Sequence, residues 1–392
     1  MKPGYMDLHT DPAFNFFMNR LAWTNSPDEL REVGTRIGTM EEWVREMLRA
    51  ASKAEAEGRS LEAANFWRAA EFYMSTDDAG KLEAYDRFLE LHDKALPELA
   101  ARRTSVPFQG GELPVIDLTP EGPVRGTILA HSGFDGLVEE MVAALGPLVE
   151  ADYRIIAFEG PGQGAALRHS GLHMQPDWEK PVGAVLDHFA VDDCTLIGMS
   201  LGGYLAPRAS AFEPRIQRVV AWGAMYDFLE CFARGIGRLK SAALMALIRA
   251  GARAQVNAAI TRVARSNPVG KWAVGHGMHV SGASDPFDFF KWARRMNLRR
   301  VSDRVKQDVL IVMGTEDHLV PFEQVHEQAK ALCNARSVTV RIASAQEQGA
   351  QHCQIGNPQL VVDEILRWLE GLERRDEALA ETRPNLLSAP RA

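Results

Sequence analysis

Cysteine is scarce in this chain, with four residues in 392. Positions 194, 231, 333 and 353 form no Cys-x-x-Cys pair and lack metal-ligand spacing, so neither a disulfide scaffold nor a zinc site is predicted. No apolar run approaches the roughly 20 residues that cross a bilayer, and Met1–Thr10 lacks the apolar core of a signal peptide. We therefore expect a cytoplasmic globular protein with reduced cysteines.

An excess of positive charge is also missing. The chain has 44 Lys and Arg against 52 Asp and Glu, a net charge of −8, and its basic residues are scattered among acidic ones. Such a surface has no basic face for nucleic acid or for an anionic membrane, so both are disfavoured as partners. A chain of this length is expected to form two or three structural units.

The first part of the chain has the apolar spacing of amphipathic helices. Apolar residues recur at i, i+3, i+4 and i+7 in Met40–Ala56, in Leu61–Met74 and roughly in Ala79–Ala95. No second copy follows at a fixed period, which excludes a repeat array. We predict an N-terminal helical domain over residues 1–106.

Short apolar runs alternate with amphipathic stretches from about Pro107 onward. The runs are Thr127–Ala130, Arg154–Phe158, Cys194–Gly198, Arg218–Trp222, Val309–Met313 and Val338–Ile342. Runs of this length bounded by Gly or Pro are typical of strands buried on both faces, and the helices between them indicate parallel crossovers. The pattern predicts an α/β fold with a mostly parallel, doubly wound sheet over residues 107–375.

Two segments depart from this alternation. Residues from about 225 to 304 have a helical pattern without a convincing strand, and we interpret them as a cap inserted between two core strands. Residues 376–392 are charged and then Pro- and Ser-containing, which predicts a disordered tail.

The segment Gly198-Met199-Ser200-Leu201-Gly202 follows a predicted strand and precedes a predicted helix. Catalysis by a serine requires its hydroxyl to project from a strained turn, and glycines two residues before and after the serine remove the Cβ atoms that would clash there. We predict that Ser200 is a nucleophile.

A nucleophilic serine needs a base, and the base needs an acid that orients it, in the chain order serine, acid, histidine for this type of turn. Asp317 follows a predicted strand and precedes a Val-Pro turn; Glu316 is the alternative acid. His352 is the only histidine between the last predicted strand and the final helix, so we predict it as the base.

Two backbone N–H groups are expected to bind the oxyanion of the tetrahedral intermediate. One belongs to Leu201, at a helix N-terminus. The other is assigned to Phe134, with Gly133 as the alternative, in the small-residue loop after the strand that ends at Ala130. Asp135 has two open interpretations, the N-cap of the next helix and a group that handles a proton.

Other motifs do not support a cofactor or a metal. Glu159–Ala165 loosely resembles a dinucleotide fingerprint, but no clean helix-strand unit follows, and it fits a tight turn near the site better. His169, His173, His276 and His279 lack strand-anchored carboxylates. The aromatic residues and Met of the insertion are expected to pack the cap, and some to line the pocket: Trp272, Met278, Phe287, Phe289, Phe290 and Trp292.

These residues resemble a family within the α/β-hydrolases whose members have an N-terminal helical domain. The resemblance lies in the elbow Gly-x-Ser-x-Gly-Gly-Tyr at 198–204, the Gly-Phe-Asp loop at 133–135, the Gly-x-x-Asp-x-x-Val-Pro turn at 314–321 and the segment Phe14–Arg20. The family includes 2,6-dihydroxypseudooxynicotine hydrolase and fungal enzymes that shorten polyketide pigment precursors. The similarity extends to about Leu372.

The resemblance implies the triad Ser200, Asp317 and His352, and an N-terminal domain that covers the site and allows a homodimer. It implies either an esterase-like hydrolase of a small or medium carbonyl compound or a carbon–carbon hydrolase of a β-diketone or aryl ketone, in a catabolic or polyketide pathway. Asp135 stands where the nicotine-pathway member has a glutamate that assists carbon–carbon cleavage. A non-catalytic binding module is disfavoured because all three triad positions are filled.

Overall fold

The computed structural model describes residues 4–233 and 237–387, and in these residues six helices precede the first strand. They are α1 (Pro12–Leu21), α2 (Pro27–Gly34), α3 (Met40–Ala56), α4 (Ser60–Tyr73), α5 (Gly80–Ala95) and α6 (Pro97–Ala100). The three helices predicted from apolar spacing are confirmed as α3, α4 and α5. Their apolar faces pack into a cluster that includes the fully buried Trp43 and Phe66.

The sheet that follows has eight strands in the described residues, in the order β1-β2-β4-β3-β5-β6-β7-β8. The strands are β1 (Arg103–Phe108), β2 (Gly111–Leu118), β3 (Gly126–His131), β4 (Tyr153–Phe158), β5 (Cys194–Met199), β6 (Ile216–Trp222), β7 (Asp308–Gly314) and β8 (Ser337–Ala343). All six predicted strands are present. Every neighbouring pair from β4 to β8 in this order is parallel, which confirms the mostly parallel α/β sheet.

Helices cover both faces of this sheet and bury a separate apolar cluster on each face. The core helices are α7 (Val138–Glu150), α8 (Gly164–Arg168), α9 (Glu179–His188), α10 (Gly202–Ser210), α16 (Glu323–Ala331) and α17 (Pro358–Leu387). None of the described helices combines the length and the apolar character that a membrane crossing requires.

The antiparallel hairpin β1–β2 was missed from the sequence. As an edge strand, β1 fully buries only Val106 and therefore lacks the apolar run that marked the other strands. It begins at Arg103, inside the segment assigned to the N-terminal domain, and β2 joins the sheet by pairing antiparallel with β4.

The insertion between β6 and β7 is helical, as expected. It contains α11 (Phe228–Ala233), α12 (Arg238–Arg249), α13 (Arg253–Ala264), α14 (Pro268–Ser281) and α15 (Pro286–Ala293). An isolated bridge between Asp227 and Asn297 closes its base beside the sheet.

The prediction of a disordered tail from residue 376 was wrong for residues 376–387, because α17 continues to Leu387. Arg375 binds the carboxylate of Asp308 at 2.7 and 2.8 Å, and Asp376 accepts hydrogen bonds from Arg336 at 2.5 and 3.1 Å. These partners come from the start of β7 and the residue before β8, so the sequence alone does not reveal that they stabilise the helix. Residues 388–392 of the predicted tail lie outside the described part of the chain.

Candidate active site

Ser200 lies in the sharp turn between β5 and α10 and has a left-handed backbone conformation, with φ of 60°. A Cβ atom on Gly198 would overlap the carbonyl oxygen of Gly202, and one on Gly203 would overlap the carbonyl oxygen of Gly223. Gly198 therefore allows β5 and α10 to approach closely, and Gly203 allows α10 to approach the residue after β6. These close contacts hold the serine in its strained conformation.

The structure brings Ser200, His352 and Asp317 into one chain of hydrogen bonds. The Ser200 hydroxyl donates to Nε2 of His352 at 2.8 Å, and Nδ1 of His352 donates to Oδ2 of Asp317 at 2.7 Å. The other oxygen of Asp317 accepts the backbone N–H groups of Leu319 and Val320, each at 2.9 Å. The acid is thus fixed by its own turn, and the imidazole by the acid.

Asp317 and His352 each shift the pKa of the other toward the charged form. Burial alone would raise the pKa of the Asp317 carboxyl, but the charge of His352 and the hydrogen bonds to the carboxylate lower it. Burial alone would lower the pKa of His352, yet the neighbouring Asp317 raises it well above the usual value. Glu316, the alternative acid, is exposed and binds Gln351 at 3.0 Å, so it does not orient His352.

The loop after β3 lies against the nucleophile turn. A Cβ atom on Gly133 would lie 2.5 Å from the backbone nitrogen of Leu201 and 3.0 Å from Cβ of Ser200. In the described part of the chain, the N–H groups of Leu201, Gly133 and Phe134 donate to no protein acceptor. Gly133 therefore lies against Ser200 and Leu201, and Phe134 is the next residue in the chain. The assignment of these three N–H groups to the oxyanion stays a prediction.

A cavity of about 220 Å³ opens beside Ser200 and His352. Its other walls come from the N-terminal segment, including Phe16 and Arg20 of α1 and Arg68 of α4, and from α7 and the residues before it. No described residue of the insertion lines this cavity, so the interpretation of residues 225–304 as a cap over the site stays a prediction.

The insertion instead braces the loop after β3 from outside the cavity. His276 of α14 hydrogen-bonds the carbonyl oxygen of Phe134 at 2.9 Å and stacks on Trp272, with 5.1 Å between ring centroids. Trp272 in turn stacks on Phe72 of α4 at 4.5 Å and donates to its carbonyl oxygen at 2.7 Å. Phe289 packs against Phe290 and Trp292 of the same helix, so these aromatic residues build the insertion's own core.

Asp135 is not an N-cap, which corrects one of its two interpretations. The helix α7 begins at Val138, and the N–H of Leu137 is accepted by the carboxylate of Glu140 at 2.9 Å. The Asp135 carboxylate instead pairs with Arg20 at 3.1 Å and lines the cavity. It therefore lies in the same cavity as Ser200, as an acid held by a guanidinium group.

Sequence reasoning missed a cluster of buried ion pairs that joins the N-terminal helices to the core. Arg20 also binds Glu140 at 2.8 Å, and the 2% exposed side chain of Arg68 binds Glu71 at 2.6 Å. Glu71, fully buried, also pairs with Arg168 of α8 at 2.6 Å. The available signal was the pair Arg68 and Glu71, three residues apart inside an otherwise apolar helical stretch.

Neutralising Glu71 should strongly destabilise the fold. Its carboxylate faces Arg68, Lys81 and Arg168, whose charges lower its pKa against the opposing effect of burial. Glu71→Gln would leave buried cations without a counter-charge, and we expect the free energy of unfolding to fall by about 3–5 kcal/mol. Urea unfolding followed by circular dichroism measures this change.

A matched control is Glu55→Gln, because Glu55 pairs with Arg87 at the partly exposed surface of the same domain. We expect this variant to lose at most about 1 kcal/mol. Equal losses in the two variants would contradict a special role for the buried cluster.

Three of the four histidines considered as metal ligands have other partners for their side chains. His276 binds the Phe134 carbonyl, His169 pairs with Asp86 at 2.7 Å, and His173 hydrogen-bonds the carbonyl oxygen of His279 at 3.1 Å. Across residues 4–233 and 237–387, no three His, Cys, Asp or Glu side chains are grouped in a way that could hold a metal ion.

Comparison with known proteins identifies the class to which this fold and site belong. The model described as "Alpha/beta hydrolase family" matches residues 126–364, which is more than half of the chain. The chain therefore belongs to the α/β-hydrolase family and is a hydrolase. This confirms the resemblance found from the elbow and acid-turn motifs.

Individual relatives match over almost the full length of the chain. Hydrolyase poxO of Penicillium oxalicum is 29% identical over 384 residues, covering 89% of this chain and 87% of that protein. The 20-hydroxy-prefusarin hydrolase FUS2 of Gibberella moniliformis is 28% identical over 408 residues, covering 91% and 96%.

Two solved structures share the fold. The 2,6-dihydroxy-pseudo-oxynicotine hydrolase superimposes with a TM-score of 0.60 at 19% identity, over 90% of this chain and 94% of that chain. AbyA5 superimposes with a TM-score of 0.68 at 18% identity, over 94% and 97%. Both alignments cover more of the chain than residues 126–364, which the family model matches.

Proposed function

We propose that the chain is a serine hydrolase that cleaves an ester-like or ketone carbonyl compound through an acyl-enzyme. The observation that carries this proposal is the chain of hydrogen bonds from Ser200 through His352 to Asp317, at 2.8 and 2.7 Å, beside a cavity. The family and its hydrolase relatives support the reaction class.

In the proposed reaction, His352 takes the proton of Ser200 as the oxygen attacks the substrate carbonyl carbon. Asp317 stabilises the imidazolium that forms, and the N–H groups of Leu201 and of Phe134 or Gly133 bind the oxyanion. The imidazolium then protonates the leaving group, and His352 activates a water that releases the acyl group from Ser200. Over the two half-reactions the hydroxyl of Ser200 and the neutral His352 are regenerated, so the net change is the addition of water across the cleaved bond.

The size of the cavity favours a compact substrate. Its volume of about 220 Å³ lies below the roughly 300–1,000 Å³ of common ligand sites. Two relatives are named as hydrolases of single organic compounds, 20-hydroxy-prefusarin and 2,6-dihydroxy-pseudo-oxynicotine. We infer a small-molecule substrate of this general kind, and a peptide chain does not suit a cavity of this volume.

A fluorophosphonate probe tests the proposed nucleophile without knowledge of the substrate. We expect the wild-type protein to be labelled at the peptide that contains Ser200 and the Ser200→Ala variant to remain unlabelled. Labelling that persists in Ser200→Ala would refute the assignment, and a wild type that resists labelling would support a non-catalytic binding module.

The pair of Asp135 and Arg20 supports carbon–carbon cleavage as a second candidate reaction. Attack of Ser200 on one carbonyl of a β-diketone would break the adjacent C–C bond, and the electron pair would leave as an enolate that must take up a proton. Arg20 lines the cavity with a cation that can bind the enolate oxygen, and Asp135 offers a carboxylate for proton handling. An ester needs neither group, because its alkoxide leaving group takes its proton from His352.

Asp135→Asn should separate the two reactions. For a β-diketone we expect kcat to fall by about 10²-fold, the usual size of a lost acid–base contribution, whereas turnover of a 4-nitrophenyl ester should change by less than about three-fold. Steady-state kinetics on both substrates measures the difference, and Asp86→Asn, at an exposed ion pair with His169, is the control. Equal falls for ester and diketone would exclude proton handling by Asp135.

A further inference from the structure

The turn after β4, Glu159–Ala165, lies next to the loop that carries the proposed oxyanion donors. A Cβ atom on Gly164, whose φ is 33°, would overlap the carboxylate of Glu159, which accepts the N–H groups of Ala165 at 2.7 Å and of Val138 at 3.2 Å. A carboxylate thus occupies the place that a phosphate takes in a dinucleotide turn. The turn has another role, which follows from the contacts of one of its residues.

That residue, Gln163, has a buried side chain that is only 3% exposed. Its amide nitrogen donates to two successive backbone carbonyl oxygens, those of Ser132 at 2.8 Å and Gly133 at 2.9 Å. Its amide oxygen accepts the N–H of Gly160 at 2.9 Å. Both hydrogens of the side-chain amide are therefore used on the loop after β3, while its own turn holds its oxygen.

These two hydrogen bonds determine where the neighbouring N–H groups point. In a trans peptide the C=O of one residue and the N–H of the next point in opposite directions, and the described residues include no cis peptide. Since the carbonyls of Ser132 and Gly133 point toward Gln163, the N–H groups of Gly133 and Phe134 point away from it.

The order of the strands shows where the loop after β3 lies relative to Gln163 and Ser200. In the sheet, β3 lies between β4 and β5. Gln163 follows β4, the loop follows β3, and Ser200 follows β5, so the loop separates Gln163 from the nucleophile. In this order the side of the loop that faces away from Gln163 is the side of β5, and a Cβ atom on Gly133 would lie 2.5 Å from the backbone nitrogen of Leu201.

We propose that Gln163 is a positioning residue of the oxyanion hole, which clamps the carbonyls of Ser132 and Gly133 so that the N–H groups of Gly133 and Phe134 face the oxyanion. This inference rests on the proposed function. His276 holds the carbonyl of Phe134 on the following peptide, so three successive peptide planes of the loop are fixed by side chains. Gln163 itself does not touch the substrate.

Gln163→Met and Gln163→Glu test the clamp. Methionine has a similar volume without a donor, and glutamate retains an acceptor for Gly160 but cannot donate when ionised. We expect kcat for 4-nitrophenyl butyrate to fall by roughly 10²-fold, the effect of misplacing a catalytic group by about 1 Å, with KM within about two-fold. Binding of a trifluoromethyl ketone, which forms an oxyanion on Ser200, should weaken by a similar factor, whereas binding of the corresponding alcohol should not change.

Gln324→Met is the matched control. Gln324 is an equally buried glutamine whose side chain binds the backbone N–H groups of Tyr226 and Asp227 and the carbonyl of Asp227, outside the loop after β3. We expect it to lower the melting temperature about as much as Gln163→Met while leaving kcat within about three-fold.

The outcomes distinguish the clamp from the proposed function. If Ser200→Ala abolishes ester turnover but Gln163→Met retains wild-type kcat and trifluoromethyl ketone affinity, the clamp is refuted and the nucleophile stands. A Gln163→Met variant that loses ketone and alcohol binding equally also refutes it, because the loss would reflect a damaged pocket. If Ser200→Ala remains active, the proposed function fails, and with it the clamp.

Discussion

Replacing Ser200 with alanine should reduce ester turnover by roughly 10⁴- to 10⁶-fold, the size of effect that follows loss of a nucleophile in a serine triad. The variant loses only the oxygen that His352 holds at 2.8 Å. Alanine adds no atom to the turn and has the same Cβ atom as serine at the left-handed φ of 60°. Substrate affinity should be little changed, because the cavity walls and the N–H donors remain. Steady-state kinetics with 4-nitrophenyl butyrate measures the loss, and active-site titration checks it.

Ser210→Ala is the matched control for this variant. Ser210 is a buried serine in α10, and its hydroxyl donates to the carbonyl of Pro207 at 2.9 Å. It shares a helix with the nucleophile turn and has no contact with His352, so we expect full turnover. A Ser200→Ala variant that retains activity within ten-fold of the wild type would overturn the central assignment.

Asp317→Asn should lower kcat by about 10⁴-fold while leaving the fold intact. With its amide oxygen toward the backbone, the asparagine places its NH₂ group against Nδ1 of His352, where it donates and cannot stabilise an imidazolium as a carboxylate does. Nε2 would then carry the ring proton, which is the wrong tautomer for accepting the proton of Ser200. The two backbone hydrogen bonds to the acid, from Leu319 and Val320, can be kept by the amide oxygen. Kinetics and a thermal melt of the same samples separate the loss of activity from any loss of stability.

The pH dependence of the wild type and of Asp317→Asn should differ in a defined direction. His352 acts as a base only when neutral, so kcat/KM must fall as the pH decreases through its pKa. Asp317 raises that pKa, which places the acidic limb of the wild-type profile above the pH of about 6.5 expected for an isolated histidine. Without the carboxylate, burial dominates and lowers the pKa of His352, so the limb should move to lower pH in the variant.

Glu316→Gln is the control for the acid, since Glu316 precedes Asp317 and binds Gln351 at the surface. It should retain wild-type kcat and an unshifted acidic limb. A limb that stays in place in Asp317→Asn, or that moves equally in Glu316→Gln, would contradict the proposed roles of the two acids.

Local patterns were sufficient to predict most of the core. Strands such as β5 and β7 are continuous apolar runs because both faces of a parallel sheet are covered, and this signal is written in consecutive residues. The edge strand β1 escaped notice because it buries little more than Val106. The end of α17 was mistaken for a tail because its ion pairs, such as Arg375 with Asp308, depend on partners that are distant in sequence.

The sequence by itself determined the turn at Ser200, because the strain at this residue demands glycines at fixed neighbouring positions and so leaves a motif. It also indicated Asp317 and His352, because each follows a strand whose end must lie at the same edge of the sheet. Only the tertiary structure decided which segments line the cavity, that Asp135 pairs with Arg20, and that Gln163 contacts the loop after β3. Those relations arise where separate elements pack together, and long-range contacts of that kind leave no periodicity or spacing in the chain.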